Sequence, residues 1–204
     1  GRPGGEQNSI RQFQRLRKCL PEVTPYYAIK ANPNPKIIKT FVKLGAGFDV
    51  ASGWEMKHVL SLGASPDRVI FANTIKSTED IISARRRRVR MMTFDNEPEL
   101  YKISEHYPGA QVLLRIKVGN EGSVVNLSLK FGADPENAYL ILRKARSLGL
   151  VPMGLSFHVG SQSKNVENYL QALEISANII NEAKEHDVPL KIMDIGGGFH
   201  IQHF

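Results

Sequence analysis

The sequence contains a single cysteine, Cys19, in 204 residues. That excludes an intramolecular disulfide framework and suits a reducing, cytoplasmic setting. No apolar run approaches the ~20 residues that a membrane helix needs. The opening Gly1-Arg2-Pro3-Gly4-Gly5 lacks the charged and apolar regions of a secretory signal. The six histidines, at 58, 106, 158, 186, 200 and 203, keep no ligand spacing with cysteines or carboxylates, so no metal is expected. Both the Walker lysine and the G-x-G-x-x-G pattern are missing, which argues against a mononucleotide-type phosphate loop.

What is present is a chain of globular composition, 42% hydrophobic and 23% charged, long enough for one substantial core. The net charge of +7 is concentrated, because Arg85, Arg86, Arg87, Arg88 and Arg90 carry five of the positive charges. No stacking aromatics interleave with this run, so it reads as the solvated end of a helix rather than a nucleic-acid surface.

Hydrophobic periodicity alternates between helix and strand along the whole chain. A helix is expected from Ser9 to Leu20, followed by strands at Tyr26–Lys30, Gly47–Ala51, Val69–Ala72, Met91–Phe94, Val112–Ile116, Met153–Val159 and Lys191–Ile195. The intervening helices are Pro35–Leu44, Gly53–Leu62, Thr78–Arg87, Glu97–His106, Pro135–Leu148 and Val166–His186. Seven such alternations imply a parallel sheet with crossover helices, and a (β/α)8 TIM-type barrel fits best. A doubly wound open sheet is the alternative.

The polar residues cluster at strand ends. Lys30 closes the first strand, Asp49 and Ser52 the second, and Arg115 the fifth. His158, Gly160 and Ser161 close the sixth, and Asp194 with Gly196-Gly197-Gly198 the seventh. In a barrel these ends converge on one face. Singly, each has a plainer reading: Asp49 and Ser52 as helix caps, Arg115 as a surface ion pair, His158 as a core histidine, the glycines as a tight turn. Jointly, a lysine capable of forming a Schiff base, a glycine triplet whose amides can cradle phosphate and a histidine able to stack on a ring suggest pyridoxal 5′-phosphate.

Five stretches carry a family resemblance: Tyr27-Ala28-Ile29-Lys30, Gly47-Phe48-Asp49-Val50-Ala51-Ser52, Leu129-Lys130-Phe131-Gly132, Ser156-Phe157-His158-Val159-Gly160-Ser161 and Asp194-Ile195-Gly196-Gly197-Gly198-Phe199. In matching order they resemble the barrel domain of the ornithine decarboxylase-like enzymes, the alanine-racemase-fold group of pyridoxal-phosphate decarboxylases. That group includes ornithine, lysine, diaminopimelate and biosynthetic arginine decarboxylases. The resemblance implies that Lys30 holds the cofactor covalently and assists product protonation, and that Asp49 and Glu55 are carboxylates near it. It further implies that Arg115 lies on the cofactor floor and that His158 stacks on the pyridine ring. Ser161, Gly196, Gly197 and Gly198 would line the phosphate site. The implied activity is decarboxylation of ornithine to putrescine, or of lysine to cadaverine, in polyamine biosynthesis, by a homodimer in the full-length form.

Other features depart from the family pattern. Its barrel has an eighth strand with Glu-Pro-Gly-Arg, and a C-terminal β-domain follows; neither is found in residues 1–204. The expectation is an incomplete barrel domain over 1–204, stopping after strand seven, with exposed strand edges and little activity alone. Arg88 stands where a glycine often ends the helix, so a left-handed backbone there would be strained. A non-catalytic regulator resembling the antizyme inhibitors, or a single-domain pyridoxal-phosphate carrier, are the other readings.

Overall fold

In the computed structural model, which describes Lys18 and residues 20–26, 28–118, 132–158 and 166–195, the first strand determines how the sheet closes. It forms two short pieces, β1 (Thr24–Tyr26) and β2 (Ala28–Lys30). The other strands are β3 (Gly47–Val50), β4 (Val69–Phe71), β5 (Met91–Phe94), β6 (Gln111–Arg115), β7 (Val151–Ser156) and β8 (Ile192–Asp194). All pairings among the described residues are parallel, in the order β1-β8-β7-β6-β5-β4-β3-β2. The two ends of that order are consecutive in sequence, one residue apart, so the backbone itself closes the ring.

The closure corrects the expectation of exposed edges. β8 pairs directly with β1, in the register Thr24↔Ile192, Pro25↔Met193 and Tyr26↔Asp194. Outside the ladder proper, the Thr24 amide donates to Lys191 O at 2.8 Å and the Ile195 amide to Tyr26 O at 3.3 Å. Meanwhile β2 pairs with β3. One extended segment thus serves a different neighbour with each half.

The crossover helices are α1 (Pro35–Lys43), α2 (Gly53–Ser61), α3 (Thr78–Arg86), α4 (Glu97–His106), α5 (Ala138–Ser147) and α6 (Val166–Glu185). Four have side-chain caps, of which only Ser52 was expected: Asn34, Ser52, Ser77 and Asn96 accept from Lys36, Glu55, Asp80 and Glu99 amides. The segment before α5 starts later than its periodicity suggests because Pro135–Asn137 forms a 3₁₀ turn first. The expected Ser9–Leu20 helix lies almost wholly outside the described residues. No described helix is long and apolar enough to cross a membrane.

Strand alternation sorts the apolar residues into two cores. Outward-facing Phe48, Val50, Val69, Phe71, Met92, Phe94, Val112, Leu114 and Leu155 pack under the helices with Met56, Ile81, Leu100 and Leu142. A smaller inner cluster, Ala28, Ile70, Met91 and Leu113, fills the barrel lumen, with Tyr26, Ala72 and Ile192 against it. Two glycines allow close approach there. A Cβ on Gly47 would collide with the Tyr26 ring, and one on Gly154 would land on the Ile192 carbonyl of the neighbouring strand. A register shift between Val112 and Leu113 makes Met153 an extra residue in β7, which places Gly154 and Ser156 on the lumen side.

Arg88 does adopt the left-handed backbone, at φ 63°. Its amide donates to Arg85 O at 3.1 Å and the Val89 amide to Ala84 O at 2.9 Å, ending α3 as a glycine would. Arg85 and Arg86 are exposed, and with Ile82, Glu105 and His106 they line a surface groove of about 500 Å³ between α3 and α4, away from the strand ends.

Candidate functional site

The lumen core ends one step short of the strand C-termini. Moving two residues on from Ala28, Gly47, Met91, Leu113, Gly154 and Ile192, all on the inner face, reaches Lys30, Asp49, Thr93, Arg115, Ser156 and Asp194. His158 is one further step along the same face. The inner surface therefore changes from apolar to polar over a single side-chain repeat, at the end of the barrel where α/β folds place their sites.

Register fixes the neighbours. Lys30 lies opposite Asp49, Arg115 opposite Ser156, Ser156 opposite Asp194, and Asp194 opposite Tyr26. Lys30 and His158 are exposed at the mouth, Arg115 and Asp49 are half-buried, and Asp194 is buried. Burial, then the Arg115 and Lys30 cations, push the His158 imidazole below its usual range, so the ring is neutral at pH 7. Asp49 moves the other way. Burial raises its carboxyl well above the ordinary range, Asp194 raises it further by charge and by a side-chain hydrogen bond, and Lys30 only partly offsets this. Asp49 Oδ1 is buried without a hydrogen-bond partner among the described residues, as are Tyr26 OH and Thr93 Oγ1.

The expected site residues thus divide into three groups. Lys30, Asp49, Arg115 and His158 converge on the polar end of the lumen. Glu55 has a different local role: its Oε2 accepts from the Ala51 amide at 2.8 Å while Ser52 Oγ accepts from the Glu55 amide at 3.1 Å, a reciprocal lock on the start of α2. Ser52 is accordingly a helix cap, whereas Asp49 lies within β3 and is not. Ser161, Gly196, Gly197 and Gly198 lie outside the described residues.

Residues that local motifs did not reveal also appear. Tyr26, Thr93 and Ser156 share the lumen face, and counting alternate residues back from Lys30 or His158 would have found Tyr26 and Ser156. Lys76 had no such signal. It is fully buried behind the mouth, with Nζ donating to Asn73 O at 2.8 Å and Thr93 O at 2.6 Å and pairing with Glu99 Oε1 at 3.1 Å. The Lys76 amide also donates to Glu99 Oε1 at 3.0 Å, and Lys102 pairs with Glu99 Oε2 at 2.8 Å. Asn73 Nδ2 reaches Ala51 O at 3.3 Å. The loops after β3 and β4 are therefore laced to the end of β5 and to α4.

Comparison with known proteins decides the family. Residues 6–204 match the model of the pyridoxal-dependent decarboxylase pyridoxal-binding domain. The chain belongs to the pyridoxal-dependent decarboxylases. Among its relatives, the ornithine decarboxylase of Schizosaccharomyces pombe is 42% identical over 194 residues, covering 95% of this chain and 45% of that protein. Antizyme inhibitor 2 of Xenopus laevis is 40% identical over 190 residues, covering 93% and 42% respectively. The crystal structure of lysine decarboxylase from Selenomonas ruminantium superposes with a TM-score of 0.79 at 40% identity, covering 96% of this chain and 51% of that one. The chain spans about half the length of the curated relatives it matches.

As a pyridoxal-binding domain, the lumen mouth has the chemistry its cofactor requires. Lys30 offers an amine, Lys30 and Arg115 supply positive charge toward an anionic ligand, and His158 is an uncharged flat ring. The partnerless Asp49 Oδ1 leaves polar capacity that a bound group can use.

Proposed function

We propose that this domain serves a pyridoxal-phosphate-dependent decarboxylase acting on a basic amino acid, with L-ornithine or lysine as substrate and putrescine or cadaverine as product. The observation that carries this reading is the convergence of Lys30, Asp49, Arg115 and His158 on one polar lumen face. Its family membership and its ornithine and lysine decarboxylase relatives support the substrate class.

In this reading Lys30 binds pyridoxal 5′-phosphate covalently through its amine and later returns a proton to the product carbon. His158 packs its neutral ring against the pyridine, and Arg115 supports the floor. Ser161 and the backbone of Gly196, Gly197 and Gly198 hold the phosphate. Bound there, the cofactor supplies the electron sink for the pair released when the α-carboxylate departs as CO2. Glu55 acts indirectly, fixing the Ala51–Glu55 turn that follows Asp49. Residues 1–204 form the barrel half, and a β-domain and a homodimer complete the site in the cytoplasmic full-length protein.

A non-catalytic regulator is a second reading, favoured by the Xenopus antizyme inhibitor relative. Retention of Lys30, Asp49, Arg115 and His158 together weighs for the enzyme. The test is CO2 release by the full-length protein from ornithine, lysine, arginine and diaminopimelate. Turnover of ornithine or lysine, abolished by Lys30→Ala, is expected; release from none of the four contradicts the enzymatic reading.

A further inference from the structure

We infer that the Thr93 hydroxyl is a contact for the bound cofactor, a binding group at the floor of the lumen mouth. Thr93 lies on the inner face of β5, two residues on from the lumen residue Met91, and is 1% exposed. Its Oγ1 is buried with no hydrogen-bond partner among the described residues. A buried hydroxyl left unpaired costs stability, and a folded chain keeps one where a ligand or an ordered water completes it.

The flanking strands offer this hydroxyl nothing. On β6 the register partner of Thr93 is Leu113, part of the lumen core. On the β4 side the pairing Phe71↔Met92 carries the chain on to Ala72 beside Thr93, and Ala72 packs against the same core. Both neighbours are apolar, so a partner has to come from within the lumen. The apolar cluster closes the lumen on one side of this level, and the mouth with Lys30, Arg115 and His158 opens on the other.

The unpaired hydroxyl does not reflect a loose strand end. Thr93 O accepts from Lys76 Nζ at 2.6 Å, and the same ammonium donates to Asn73 O at 2.8 Å and pairs with Glu99 Oε1 at 3.1 Å. Three acceptors match the three N–H donors of an ammonium. The end of β5 is thus pinned from behind, with the Thr93 side chain already on the lumen face. Asp49 Oδ1 on β3 is a second buried, partnerless polar atom on that face among the described residues. A floor held ready in this way spends little ordering entropy when its ligand arrives.

The inference rests on the reading that this mouth holds pyridoxal phosphate at Lys30. A hydroxyl can both donate and accept, so it suits a polar edge of the cofactor whether that edge is anionic or neutral.

Cofactor affinity of the full-length protein, stripped of bound cofactor and titrated with pyridoxal phosphate, tests it. Thr93→Val keeps the branched shape and removes the hydroxyl. It should weaken binding roughly fivefold or more, while the cofactor-free protein unfolds at the same or a higher urea midpoint. Thr93→Ser, which keeps the hydroxyl, should bind like the wild type. A hydroxyl satisfied only by a buried water predicts unchanged affinity in Thr93→Val, and that result overturns the inference. Equal weakening in Thr93→Ser and Thr93→Val overturns it too. Borohydride capture of the cofactor at Lys30 separates the two claims. With capture intact, equal affinities refute only the Thr93 contact; no capture in the wild type refutes the anchoring role of Lys30 and the inference with it.

Discussion

Lys30 and Lys76 are both lysines near strand ends, and the sequence treats them very differently. Lys30 follows an apolar β-prone run and precedes an Asn-Pro-Asn-Pro turn, so its position at a strand mouth is legible locally. Lys76 lies in a stretch that reads as loop, and its partner Glu99 is 23 residues further on, so only folding brings them together. Burial, opposed by Glu99, pushes the Lys76 ammonium down to about 8 from 10.5. Between those values the unfolded chain binds more protons than the native one, so this group makes stability rise with pH across that window. Urea melts of wild type and Lys76→Met at several pH values should show the wild type gaining on the variant between about pH 8 and 10.5. A constant difference would contradict the lowering of the Lys76 ammonium by burial. Glu99→Ala, which strands that cation, should cost about 3 kcal/mol or more at neutral pH in the same melts.

At the scale of elements, hydrophobic periodicity located every described α-helix to within a turn, and α4 has the expected bounds, Glu97–His106. Strand alternation accounts for why Lys30, Asp49, Arg115 and Asp194 share a face. Two features depend on backbone conformation. Arg88 holds the left-handed C-terminal position of α3, and its side chain is exposed, so Arg88→Gly removes strain without loss of packing. The variant should be more stable by roughly 0.5–1 kcal/mol, read from the denaturation midpoint at unchanged m-value. An unchanged or lower midpoint would mean that the arginine makes a compensating contact. Gly154 is the opposite case. Any Cβ there meets the Ile192 carbonyl, so Gly154→Ala should force β7 and β8 apart. Amide exchange in Met193 and Asp194 should then accelerate well beyond that in β4 or β5.

For the whole molecule, the parallel barrel follows from the repeated βα units, but its closure does not. The sequence pattern indicates one strand at Tyr26–Lys30; that residues 24–26 and 28–30 bond to different neighbours depends on the position of β8, some 160 residues later. Glu55 shows the same limit at the site, because its carboxylate serves the helix entry beside it. The central claim is that the polar end of this lumen anchors pyridoxal phosphate through Lys30. Borohydride reduction of the protein loaded with pyridoxal phosphate, followed by peptide mass mapping, tests it most directly. The account predicts one stable pyridoxyl adduct, on Lys30, with none in Lys30→Ala; an adduct on another lysine, or none in the wild type, would contradict it.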